Sequence, residues 1–113
     1  MKKKYYHQKL IRDEIPEKIK ESGGDYEIRV LGKGEFEAEL KKKLIEESKE
    51  LSEAPNVDLL NELADVLELT KSISSHYKIP FSEVEKFQED KRKKRGGFKK
   101  KLFLIWSTQK AGK

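Results

Sequence analysis

Between Glu35 and Ile73 apolar residues recur at helical spacing on both sides of one break, Ala54-Pro55-Asn56, and this pattern most constrains the fold. Phe36, Leu40, Leu44 and Leu51 are four, four and seven residues apart, so they line one face of a helix running from Glu35 to about Ser52. A second helix is predicted over Val57–Ile73. Leu59, Leu60, Leu63, Val66, Leu67, Thr70 and Ile73 give it a wide apolar face, suited to contact with more than one helix. The break carries its own chemistry: Pro55 cannot continue the first helix, and Asn56 is placed to cap the second.

Acids interrupt both stripes. Glu47 stands where the first helix would otherwise carry a leucine, and Glu62 projects between Leu69 and Ile73, with Asp65 at the edge of the same arc. They belong to two clusters, Glu46-Glu47-x-x-Glu50 and Glu62-x-x-Asp65. Carboxylates three or four residues apart on a helix share a face. Two such faces turned toward each other bring at least four acids together, and their mutual repulsion calls for a cation among them. Carboxylate oxygens are hard ligands, which suit Mg²⁺ or Mn²⁺ better than zinc. A salt-bridge network, with Lys43 as the nearest cation, is the bland alternative. Asp58 and Glu68 lie near the clusters and are read as supporting or surface groups.

The remaining segments are shorter. Ile11, Ile15 and Ile19 form a stripe on a helix expected to begin near Pro16 and to end at Ser22-Gly23-Gly24. Tyr26–Leu31 alternates apolar and charged residues and reads as a strand, with Leu102–Trp106 as its antiparallel partner. Ser82-Glu83-Val84-Glu85 reads as a capping box opening a last helix, which Gly96-Gly97 stops. The expected fold is therefore mainly α: a helical bundle with a small two-stranded element, about 26–31 with 102–106. Residues 1–106 form one domain and 107–113 a disordered tail.

A chain of 113 residues fits one domain, and 42% charged against 35% apolar residues makes its surface densely ionic, so a partner subunit is expected to complete burial. There is no cysteine, hence no disulfide scaffold. The basic start, Met1–His7, is not followed by the apolar core of a signal peptide, and no apolar run approaches the ~20 residues of a membrane span. A soluble, cytoplasmic protein is expected. Residues 35–68 are rich in acid, whereas 1–12 and 91–101 are basic, for a net charge of +5. Lys9 with Arg12, and Lys91 with Arg95, are spaced to make two-pronged phosphate clamps. Basic ends on a helical domain also fit a non-catalytic module that binds nucleic acid. His7 and His76 are isolated and receive no role.

The paired acidic motifs resemble those of the all-α nucleoside triphosphate pyrophosphohydrolases, the MazG-like group related to phosphoribosyl-ATP pyrophosphohydrolase. A MazG-like subset is also similar at Lys9-Leu10-Ile11-Arg12-Asp13 with Ile15-Pro16, and at Lys91 with Arg95-Gly96-Gly97-Phe98. The resemblance implies Mg²⁺-dependent cleavage of a nucleotide between its α- and β-phosphates. It implies Glu47, Glu50, Glu62 and Asp65 as metal ligands, and Glu46 as the group that orients or deprotonates water or binds a further metal. Lys9, Arg12, Lys91 and Arg95 would hold phosphate oxygens. It further implies a homodimer or larger homo-oligomer. Hydrolysis of phosphoribosyl-ATP is the neighbouring alternative, and nucleic acid is not the expected partner. The preferred base is not readable.

Overall fold

Gly23, with a φ of 80°, and Gly96, with a φ of 82°, mark the ends of two of the four α-helices in the computed structural model, which describes residues 3–110. Both glycines adopt the left-handed region that a side chain disfavours, and the Gly96 N–H closes the last turn on Arg92 O at 2.8 Å. In chain order the helices are α1 (Ile15–Glu21), α2 (Lys33–Glu53), α3 (Leu59–His76) and α4 (Phe81–Arg95), with a 3₁₀ turn over Asn56–Asp58. α1 starts at Ile15, next to Pro16 as its sequence predicts, proline being tolerated in a first turn.

The chain divides into two compact units. The first, up to Lys78, holds α1, α2 and α3; the second, from Ile79, holds α4 and the residues after it. In the first unit α2 and α3 pack as an antiparallel hairpin. Its open end is pinned by His76, whose Nε2 lies 2.9 Å from Glu37 Oε1 and whose ring meets Phe36 edge-on at 5.1 Å. That hydrogen bond holds the Glu37 carboxyl below its ordinary range. At the start of α2, Glu35 accepts from both terminal nitrogens of the Arg29 guanidinium, Nη1 and Nη2, at 3.0 and 2.7 Å, an acid well placed in a first helical turn.

Leu40 and Leu69 are the buried apolar residues between the two helices. The inward face of α3 runs through Glu62, Asp65, Val66, Leu69, Ile73 and His76, one or two steps of three or four at a time. Leu60, Leu63 and Leu67, grouped with that face in the sequence reading, point elsewhere and are exposed. The wide apolar arc is thus two stripes, of which the hairpin covers one.

Three local expectations need correction. No described residue lies in a β-ladder, so the two-stranded element over 26–31 and 102–106 is not formed. Alternation supplies a strand with a face but not with a neighbour, and Val30 and Phe103 remain more than 90% exposed. Asn56 does not cap α3; it opens the 3₁₀ turn, and Asp58 occupies the cap position without a side-chain bond. Ser82 is likewise inside α4, which begins one residue earlier because Pro80 O accepts from Glu83 N–H at 2.9 Å. The tail expected over 107–113 is described only to Lys110; residues 111–113, like 1 and 2, lie outside the described residues. No helix among the described residues is long and apolar enough to cross a membrane.

Candidate metal centre

Midway along the hairpin, α2 presents Glu47 to Glu62 and Asp65 on α3. One carboxylate oxygen from each lies within 4.8 Å of the other two. The antiparallel packing explains the meeting: Glu37 faces His76 at the open end, so ten residues further along α2 the chain faces α3 about eleven residues earlier. The leucine pattern that buries Leu40 necessarily turns Glu47, seven residues on, toward the same partner helix.

These carboxylates are poorly satisfied. Glu47 Oε2 and Glu62 Oε2 are both shielded from solvent, and neither has a hydrogen-bond partner. The Glu47 side chain is only 14% exposed, and its one cation, Lys43 Nζ, stands 4.0 Å from Oε1, too far for a close ion pair. Burial pushes the Glu47 carboxyl above its ordinary range; the charges of Glu50 and Asp65 push the same way, and Lys43 opposes them. A buried acceptor without a donor is destabilising, typically by about 1–3 kcal/mol. Two at one point, both on acids, fit a bound cation. A Mg²⁺ ion with oxygens ~2.1 Å away needs its ligands within roughly 4.2 Å of each other, so small rotations of the three side chains would suffice.

The other residues singled out by sequence are placed variously. Glu50 is exposed, one turn beyond Glu47, and close enough to act on its charge. Glu46 is exposed and points instead to a shallow cavity of about 140 Å³, which it lines together with Lys9, Lys42 and Lys43. Arg12 reaches the cluster itself, donating from Nη2 to Asp65 Oδ1 at 2.7 Å. Lys91 and Arg95 lie one turn apart in the last turns of α4, in the second unit, and are exposed. Lys43 was read from sequence only as a neutralising neighbour; at 22% exposure, between the cavity and Glu47, it is a member of the site. Its i, i+4 spacing to Glu47 was the available signal.

No family model matches the chain, and no curated protein or solved structure matches it either. The functional reading therefore stands on the site and on the motifs.

The raised Glu47 carboxyl has a consequence for stability. For an acid whose folded pKa exceeds its unfolded value, the penalty is absent below the unfolded pKa. It grows between the two values and is complete above the folded one. With metal chelated, Glu47→Gln should therefore be more stable than wild type near about pH 7, and the advantage should vanish as pH falls below the usual carboxylate range. Thermal melts of the two proteins across pH check this; a constant difference would mean that Glu47 carries no repulsive charge.

Proposed function

We propose that the protein is a Mg²⁺-dependent nucleoside triphosphate pyrophosphohydrolase, releasing pyrophosphate and a nucleoside monophosphate. The observation that carries this reading is the pair of orphaned, shielded oxygens, Glu47 Oε2 and Glu62 Oε2, in a cluster completed by Asp65. The acidic motifs and the Lys9–Asp13 and Arg95–Phe98 segments that resemble the MazG-like group support it.

Glu47, Glu62 and Asp65 would hold the ion, with Glu50 within reach of the first of them. A divalent cation at such a site neutralises polyphosphate charge and makes bound water more acidic. Glu46, exposed on the turn that carries Glu47 and lining the neighbouring cavity, would orient a water or take its proton, as the resemblance implies. Lys9 and Lys43 place positive charge beside it, as a polyphosphate requires. The exposed Leu60, Leu63 and Leu67 stripe on α3 supports a homo-oligomer, since leucines at this spacing suit a partner helix face.

Pyrophosphate release from a panel of ribo- and deoxyribonucleoside triphosphates, with Mg²⁺ and with chelator, tests the reading. Turnover that needs the metal is the expected result. Cleavage of phosphoribosyl-ATP alone would move the assignment to that substrate. Absence of cleavage across the panel, with retained binding to RNA, would favour a nucleic-acid module.

A further inference from the structure

Arg12 is the residue whose position the sequence least foretold. It belongs to an irregular segment preceding α1, 53 residues before Asp65 in the chain, yet its guanidinium makes a close ion pair with that acid. Asp65 is also one of the three carboxylates whose oxygens converge. A positive charge is therefore held directly against a prospective ligand of a divalent cation. Like charges at such separation repel, and a carboxylate shared with a guanidinium is a weaker ligand than a free one.

The two ends of this pair differ in how they meet solvent. The Arg12 side chain is 57% exposed and that of Asp65 30% exposed. Releasing the guanidinium into water is therefore cheap, as for other exposed ion pairs, whereas Asp65 stays beside the shielded Glu47 and Glu62. The tether is also narrow. Residues 3–14 contain no helix or strand, and Arg12 leads straight into α1, where its carbonyl accepts from Ile15 N–H at 3.1 Å. The same segment carries Lys9 to the cavity that Glu46 and Lys43 share.

We propose that Arg12 is an exchangeable internal cation: it neutralises Asp65 until a divalent metal ion takes that carboxylate, and the freed guanidinium then turns to the incoming polyphosphate. This rests on the metal reading above and adds to it a competition that sets metal affinity. It makes Arg12 a cation that sets metal affinity through Asp65 before it meets phosphate, rather than a fixed phosphate clamp. Occupancy of the cluster is thereby coupled to the freedom of the segment that bears Lys9.

Mn²⁺ binding, followed by the loss of free-ion electron paramagnetic resonance signal, provides a test that needs no turnover. Arg12→Gln should bind Mn²⁺ more tightly than wild type by on the order of five- to tenfold at low salt, and raised salt should narrow the gap. Arg12→Lys, which keeps the charge, should stay near wild type. In wild-type protein, Mg²⁺ should speed hydrogen exchange over residues 9–15, a readout that holds even if Arg12→Gln folds poorly. Equal or weaker binding by a folded Arg12→Gln would overturn the proposal and make Arg12 a support that orients Asp65. Unchanged exchange over residues 9–15 would overturn it as well. If wild type itself binds no Mn²⁺, the metal reading fails along with it, a result distinct from a cluster that binds metal but ignores Arg12.

Discussion

Glu47→Gln and Asp65→Asn should each lower pyrophosphate release by on the order of 10²–10³-fold, expressed as kcat/KM at saturating Mg²⁺. Each change removes one charge from the three-carboxylate cluster while keeping the shape of the side chain. An amide oxygen is a poorer ligand than a carboxylate oxygen, and the remaining two acids attract a divalent ion less strongly. Glu47 is the more informative of the two. Its Oε2 has no other partner, so an activity loss cannot come from a broken hydrogen bond at that atom. Asp65→Asn also disturbs the pair with Arg12 and should show a mixed response. Initial rates with a preferred nucleotide, taken over a Mg²⁺ titration, separate weaker metal binding from slower chemistry. Wild-type rates in both variants would remove the cluster from the mechanism.

Glu62→Leu should have opposite effects on stability and on metal response. With chelator present it should be more stable than wild type by about 1–3 kcal/mol, which amounts to about 4–8 °C in Tm per kcal/mol for a domain of this order. The reason is local: Glu62 Oε2 is shielded without a donor, and the residue opens the inward stripe of α3, one turn before Val66. Leucine there extends the packing begun by Leu69 and removes the shielded oxygen that lacks a donor. Addition of Mg²⁺ should then raise the Tm of wild type and leave Glu62→Leu unchanged. A variant less stable than wild type in chelator would show that Glu62 contributes a favourable contact. A preserved Mg²⁺ shift would exclude it as a ligand.

The parts of this site that were legible in the sequence are those fixed by helical periodicity. Glu47 and Glu62 stood out because each breaks a stripe of leucines, and the hairpin turns both inward. Other parts depend on information that periodicity does not carry. Leu69 is buried and Leu60 is exposed, although both fall on an apolar arc; the angle at which α2 meets α3 decides between them. Arg12 meets Asp65 through a path across an irregular segment, for which spacing has no rule. The strand reading of 26–31 rested on alternation, a property that exposed coil shares when its charged residues bond locally, as Arg29 does with Glu35, and that of 102–106 on a β-prone run that finds no partner among the described residues. The caps failed for a related reason: proline at 55 and 80 fixes where a helix begins or ends more firmly than an available Asn or Ser side chain.

All three converging carboxylates belong to one helical hairpin whose arms are joined by a short connection around Pro55. Bringing them together costs the closure of a small loop, the kind of event that is fast and occurs early when a chain folds. During synthesis from the N-terminus the hairpin is complete once His76 has emerged, ahead of α4. An ion captured at that stage would lend its binding free energy to a nascent unit with little buried apolar surface. Under the proposed metal reading, metal supply during translation would then affect how much folded protein accumulates.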